Sequence, residues 1–130
     1  MGLKTSKGRL NEVYFPKDLK EGIIEYAREN HPNEIILLLK GRLEKGSAYI
    51  ESFVIPPLSK GGRTRAIFNM NLLPPDRSIT GSIHSHPSGF AVPSKEDLLY
   101  GLGPVIMIIG LPAEIRAFDK DGNELKVNFI

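Results

Sequence analysis

Apolar and polar positions along the chain follow helical spacing in one long segment and strand patterns in most others. Leu19, Ile23 and Ala27 recur at helical spacing, with lysines and glutamates between them. This pattern predicts a helix over residues 16–30. Pro16 suits its first position, where the missing N–H has no partner to lose.

The remaining patterns predict a predominantly β core. Two uniformly apolar runs, residues 34–40 and 105–109, indicate buried strands. Further strands are predicted at residues 13–15, 48–55, 66–70, 79–83, 114–118 and 124–129, and a short helix at residues 94–102. Asp121-Gly122 is typical of a hairpin turn between the last two strands. Together these elements predict a mixed α/β domain with two or three helices on a mostly β core.

Length and composition are those of one ordinary globular domain, which we expect to span residues 1–130. The chain has no cysteine, which excludes disulfide scaffolds, cysteine nucleophiles and cysteine-ligated zinc sites. The formal net charge of +2 is too small for a protein that coats a polyanion, so no nucleic-acid partner is expected.

No membrane association is expected either. The longest apolar runs are far shorter than the roughly 18 residues that a transmembrane helix requires. Lys4, Lys7 and Arg9 resemble the basic start of a signal peptide, but no hydrophobic stretch follows them. The expected compartment is therefore the cytoplasm.

The first candidate chemistry is a pair of histidines, His84 and His86, at the end of a predicted strand. Residues i and i+2 of a strand point to the same face, so both imidazoles can converge on one divalent metal. The pair alone equally fits two polar residues at a strand end, closed by Pro87. Both interpretations stay open at this point.

Asp97 lies ten residues beyond Pro87, in the segment Ser94-Lys-Glu-Asp97. This spacing is close to a capping box, with Ser94 as the N-cap and Asp97 reaching back to it. The same carboxylate could instead be a third metal ligand, which would leave a fourth tetrahedral position for water. Because one carboxylate cannot easily serve fully as both, cap and ligand are competing interpretations.

The combined string is far more specific than its parts: His84-Ser-His-Pro87, six residues, Ser94, two residues, Asp97. It resembles the JAMM (MPN+) motif of zinc metalloproteases at every defining position. The likeness covers nearly the whole chain, and the size suits a stand-alone, archaeal-type JAMM isopeptidase similar to deubiquitinases and desampylases. It implies an α/β fold, a single JAMM/MPN (cytidine-deaminase-like) domain with a mixed β-sheet core flanked by two or three helices.

The resemblance also implies a role for each site residue. Glu34, directly ahead of a buried apolar run, corresponds to the family's general base. Considered alone, this glutamate fits the exposed end of a strand equally well. Ser85 belongs to the motif, but no chemical role follows for it. The implied assignments are His84, His86 and Asp97 as Zn²⁺ ligands, Glu34 as base and Ser94 as oxyanion donor.

The implied reaction cleaves the bond between the C-terminus of a ubiquitin-like modifier and a lysine amine of its target. The expected partners are therefore the modifier and its conjugates. Family relatives hold the modifier's tail partly by adding it to a sheet edge. The candidate edge lies in the irregular segment 56–76, at Ala66, Ile67, Phe68, Asn69 and Met70. The alternative is a surface loop that has no partner.

Other side chains in the sequence are interpreted as structural. His31 is expected at a helix C-terminus, where the helix dipole favours a cation. Phe90 and Val92 are expected to pack within their loop. The basic residues of the irregular segment are interpreted as solvated loop charges: Lys60, Arg63 and Arg65.

Two other functions remain compatible with the motif. A zinc hydrolase could release an amino acid, such as cysteine, from a small carrier protein or peptide. A non-catalytic MPN interaction module is less compatible, since such modules lack the ligand residues that this chain has. The sequence leaves open which modifier is cut and whether the protein acts alone, as a homodimer or with another partner. It also leaves open another divalent metal in place of zinc.

Overall fold

The computed structural model describes residues 9–56 and 78–130, which contain two helices and seven strands. The strands are β1 Glu12–Phe15, β2 Ile36–Glu44, β3 Ser47–Val54, β4 Ile79–His86, β5 Val105–Gly110, β6 Glu114–Phe118 and β7 Glu124–Phe129. The helices are α1 Lys17–Asn30 and α2 Lys95–Tyr100. Neither helix has the length and apolar character needed to cross a membrane.

The seven strands form one mixed sheet that closes on itself, in the order β1-β3-β2-β4-β5-β6-β7. Strand β1 pairs in parallel with β3 and β7, and β4 pairs in parallel with β5. The other neighbours are antiparallel. This architecture confirms the predicted α/β class with a mixed sheet. The strand predicted at residues 66–70 lies outside the described residues.

Strand β5 explains why one of the apolar runs is continuous. Its odd-numbered residues, Val105, Met107 and Ile109, pack in the main core with α1. Ile106 and Ile108 belong to a second cluster on the opposite face, with Ala91, Phe118 and Leu98 of α2. Because both faces of β5 are covered, no position on it is left for a polar side chain.

Both predicted helices form, with corrected starts and ends. Pro16 is not the first helical residue but the position before it, where its carbonyl accepts the Lys20 N–H at 3.0 Å. The second helix is shorter than the predicted 94–102, because Gly101 is already extended and Gly103 has a positive φ of +75°. His31 is the C-cap of α1 and is exposed, which confirms its predicted position at the helix C-terminus.

The antiparallel pairing of β2 with β4 brings two distant segments together. Ile36 is opposite His84, so the start of β2 lies beside the end of β4. One step further, the Ser85 N–H donates to the Ile35 carbonyl at 3.1 Å. Glu34 directly precedes this connection, two residues before the start of β2.

The loop that carries the site lies close against the end of β5, which leads to a stability prediction. A Cβ at Gly110 would overlap the Gly89 carbonyl and lie 3.0 Å from the Ala91 nitrogen. We expect Gly110→Ala to lower the free energy of unfolding by about 1–3 kcal/mol. Gly22→Ala in α1 is the control, because nothing lies within 4 Å of the added methyl. It should raise stability by about 1 kcal/mol. Urea denaturation measures the free energy of unfolding of both variants. An equal change in the two would contradict steric crowding at Gly110.

Candidate metal centre

Strand β4 presents His84 and His86 on the same face, as its alternation predicts. Their Nε2 atoms lie 3.2 Å apart. The side chains are only 11% and 17% exposed, so the two imidazoles form a largely buried pair at the end of the strand.

The Asp97 carboxylate completes the group from the first turn of α2. Its Oδ1 lies 2.8 Å from His84 Nε2, and its Oδ2 lies 3.1 Å from His86 Nε2. One ligand atom from each of these three residues lies within 4.8 Å of the others, a spacing that could hold a metal ion. The structure thus brings together the three residues predicted as ligands, from segments eleven residues apart.

Asp97 also forms the capping box, so the two interpretations are not exclusive. The Ser94 N–H donates to Asp97 Oδ2 at 2.7 Å, and Ser94 Oγ accepts the Asp97 N–H at 3.1 Å. An ionised carboxylate has two oxygens and about four acceptor sites. It can therefore accept the cap bond and still direct lone pairs at both histidines. The predicted cap forms, and the acceptor sites that it leaves keep the interpretation of Asp97 as a metal ligand open.

A backbone carbonyl orients the second histidine. His86 Nδ1 lies 2.8 Å from the Phe90 carbonyl oxygen, which can only accept, so Nδ1 carries the proton. In the neutral ring, Nε2 then offers its lone pair to the Asp97 side of the site. Both ring nitrogens thus face oxygen acceptors, and a neutral imidazole can donate to only one of them. Either a second proton on the ring or a bound cation satisfies this arrangement, and a donor set of two imidazoles and a carboxylate fits a divalent metal such as zinc.

Hydrogen bonds within the group shift the pKa values of Asp97 and His86 so that both charged forms are favoured. Burial raises the pKa of the Asp97 carboxyl, but hydrogen bonds from His84 and His86 and from the Ser94 N–H hold it well below its usual range. The hydrogen bond to Asp97 raises the pKa of His86, against an opposing effect of burial. The site therefore keeps a carboxylate that is ionised at neutral pH.

Glu34 lies two residues ahead of β2. Its side chain is half-buried, and its negative charge contributes to the raised pKa of His86. This effect, and the bonds between the next residue, Ile35, and Ser85, place Glu34 near the end of β4 that carries the metal-ligand candidates. The position is neither a core site nor a fully exposed strand end.

Two loop residues behave differently from expectation. Phe90 and Val92 were expected to pack, but they are 73% and 51% exposed, and Ala91 between them is the buried residue. The expectation was wrong because the loop is anchored through its backbone and through one small side chain. The orienting role of the Phe90 carbonyl had no sequence signal, since any residue has that group.

Other predicted site residues lie outside the described part of the chain. The proposed substrate-binding edge, Ala66 to Met70, falls in the segment 57–77, as do Lys60, Arg63 and Arg65. Those assignments remain predictions.

Comparisons with known proteins agree with this geometry. The model of the family described as prokaryotic homologs of the JAB domain matches residues 16–121. A protein of Haloferax volcanii named as a probable metalloprotease is 34% identical over 115 residues, covering 81% of this chain and 71% of that protein.

Solved structures show the same fold. A JAB1/MPN domain protein from Archaeoglobus fulgidus superposes with a TM-score of 0.62 at 25% identity, covering 89% of this chain and 97% of the other. A protein from Desulfitobacterium hafniense gives a TM-score of 0.65 at 25% identity, covering 91% and 92%. A structure described as a JAMM metalloprotease-like zinc site in the proteasome and signalosome gives 0.62 at 24% identity, covering 92% and 98%. The family match and the curated relative show that this chain belongs to the prokaryotic JAB (JAMM/MPN) domain family of metalloprotease-like hydrolases.

Proposed function

We propose that this protein is a zinc-dependent isopeptidase that separates a ubiquitin-like modifier from a lysine amine of its target. The observation that carries the proposal is the convergence of His84, His86 and Asp97 within 4.8 Å. Two imidazoles and a carboxylate are the ligands of a catalytic zinc that keeps an open position.

Each residue has a distinct task in the proposed reaction. His84, His86 and Asp97 would hold the zinc. When bound there, zinc supplies a Lewis acid that polarises a carbonyl and lowers the pKa of water toward about 7. Glu34 accepts a proton from the water that attacks the scissile carbonyl and returns it to the leaving lysine amine. The amide C–N bond breaks, and the products are a carboxylate and an amine.

Ser94 is assigned to the developing oxyanion. Its oxygen accepts the Asp97 N–H through a lone pair, so the cap bond leaves the hydroxyl's own hydrogen for donation. The residue is exposed at the start of α2, next to the ligand group. Cap and oxyanion donor can therefore be the same hydroxyl.

Two substitutions at Ser94 separate these tasks. Ser94→Gly removes the hydroxyl but keeps a tolerated N-cap residue, so the stability loss should be a few tenths of a kcal/mol. Ser94→Ala should cost about 1 kcal/mol. If the hydroxyl stabilises the oxyanion, both variants lose about 10²–10³-fold in kcat. Thermal denaturation and single-turnover cleavage measure the two effects. If the loss of kcat in Ser94→Gly and Ser94→Ala is proportional to their loss of stability, the oxyanion role of the hydroxyl is contradicted.

A polypeptide substrate is supported by the surface around the centre. Phe90 and Val92 are exposed on the loop between the histidines and α2, and the Phe90 carbonyl contacts His86 directly. Exposed apolar side chains beside a site favour contact with an extended peptide. We extend the proposal to the edge at residues 66–70 as the strand that receives the modifier's tail, and to a cytoplasmic location.

Intact-mass analysis tests the proposal. The protein is incubated with a ubiquitin-like modifier joined to a lysine-containing target, with and without a chelator. Release of both intact halves, lost with chelator and restored by zinc, is the expected result. A second substrate carries a single amino acid on the modifier's C-terminus. Cleavage of that substrate alone would favour a small-carrier hydrolase, and no cleavage by zinc-loaded protein would contradict both.

A further inference from the structure

Ser85 separates the two histidines but points away from them. Its neighbours in register and along the strand, Ile109 and Ile83, belong to the main core, and its own exposed fraction is 1%. A hydroxyl buried on an apolar face is costly unless it is hydrogen-bonded. Ser85 Oγ accepts the N–H of Ile35 at 3.0 Å, in a buried bond that joins residues fifty positions apart.

This bond lies just beyond the paired part of β2 and β4, at the end that carries the site. At the preceding step of the register, Ile36 is opposite His84. At the next step, the Ser85 N–H donates to the Ile35 carbonyl, and the Ile35 N–H donates to the Ser85 hydroxyl. In a regular antiparallel pair that second donor would reach a backbone carbonyl. The side chain thus takes the place of a backbone acceptor at the point where the strands approach the site.

We propose that Ser85 is a positioning residue for Glu34, an inference that rests on the proposed role of Glu34 as general base. Ile35 follows Glu34 directly and is held by two bonds to Ser85, the residue between the two metal-ligand candidates. One residue therefore couples the base to the histidines through a short, buried connection. Placement of a reacting group to within about 1 Å can change a rate by about 10²-fold, so this connection bears on catalysis.

The expected effect is on turnover and not on metal binding. Ser85→Ala removes the acceptor of the Ile35 N–H, so the segment at Glu34 is less constrained and kcat should fall by about 10–100-fold. KM and zinc affinity should change little, because the histidines and Asp97 keep their contacts. Ser85→Thr keeps a hydroxyl and should recover most of the kcat.

A matched control is available on the same pair of strands. The Thr80 hydroxyl is buried and donates to the Leu39 carbonyl at 3.2 Å, far along β4 from the site. Thr80→Val removes a comparable side-chain bond between β4 and β2. It should lower stability without lowering kcat, so it measures the effect of a weakened strand pair alone.

A double-mutant cycle tests whether Ser85 acts through Glu34. Single-turnover cleavage is measured for wild type, Ser85→Ala, Glu34→Gln and the double variant, with zinc affinity for each. If Ser85 acts through Glu34, Ser85→Ala has no further effect in the Glu34→Gln background. An equal loss in both backgrounds, an unchanged kcat in Ser85→Ala or a loss of zinc affinity would overturn the proposal.

Hydrogen exchange of the Ile35 amide distinguishes this failure from failure of the proposed function. Exchange should accelerate in Ser85→Ala and stay slow in Thr80→Val and Ser85→Thr. If the zinc-loaded wild type cleaves no conjugate, the proposed function is wrong. The role of Ser85 in positioning a general base is then wrong as well, even when the exchange rates of the Ile35 amide follow this pattern. If wild type is active but Ile35 exchange is unaffected by Ser85→Ala, only the Ser85 proposal fails.

Discussion

Glu34→Gln is expected to keep the bound zinc and to lose about 10²–10⁴-fold of the cleavage rate. Glutamine has nearly the same shape as glutamate, but its amide cannot accept the proton of the attacking water. The next residue, Ile35, is hydrogen-bonded to Ser85 between the two histidines, and the charge of Glu34 raises the pKa of His86, so Glu34 lies near the site. Single-turnover cleavage of a modifier conjugate, with zinc content measured on the same sample, reports both quantities.

Glu29→Gln is the matched control for this experiment. Glu29 is exposed near the end of α1 and undergoes the same change of charge, so its activity and zinc content should equal those of the wild type. Full activity in Glu34→Gln would contradict the assignment of Glu34 as the base. Loss of zinc in Glu34→Gln would show instead that this carboxylate is a metal ligand.

Asp97→Asn is expected to weaken zinc binding by more than 100-fold. Removing a group that only hydrogen-bonds to a metal ligand already lowers metal affinity by about 10–100-fold. Asp97 is proposed as a direct ligand, so its loss should have a larger effect. The asparagine side-chain oxygen can still accept the Ser94 N–H, so the helix cap is largely kept while the negative charge is lost. Competition titration with a chromophoric chelator measures the affinity, and thermal denaturation of the metal-free protein measures the cap.

Glu96→Gln controls for the loss of one negative charge in the same helical turn. Glu96 is exposed and is not among the three residues that could hold a metal, so zinc affinity should be nearly unchanged. A variant Asp97→Asn that keeps zinc affinity but loses stability would show that Asp97 is only a cap. Equal losses in both variants would indicate a general effect of charge.

Local patterns predicted most of the secondary structure, because each depends on residues close in sequence. The strands at residues 114–118 and 124–129 form with the predicted bounds, since clear alternation flanks the turn at Gly122, where φ is +89°. The predicted ends of helices were less accurate where the backbone conformation of a glycine stops the helix before the pattern of apolar residues does. The early end of α2, before Gly103, is one example.

The candidate site was predicted partly from spacing and partly from family resemblance. Strand periodicity alone places His84 and His86 on one face, and the structure confirms this. The spacing of Asp97 from Ser94 fits a helix cap or a third ligand without deciding between them, and no pattern selects Glu34, because these positions depend on a loop and on the pairing of two strands. The resemblance supplied the ligand role of Asp97 and the base role of Glu34, and the structure brings Asp97 to the two histidines.

The sequence by itself determined the elements, the family resemblance and the identity of the three candidate ligands. Only the tertiary structure decided that the Asp97 carboxylate closes the helix cap while facing both histidines, that the Phe90 carbonyl orients His86, and that Ser85 bonds to Ile35. The physical reason is that such hydrogen bonds depend on strand register and on backbone direction. Neither is encoded in the spacing of side-chain types along one segment.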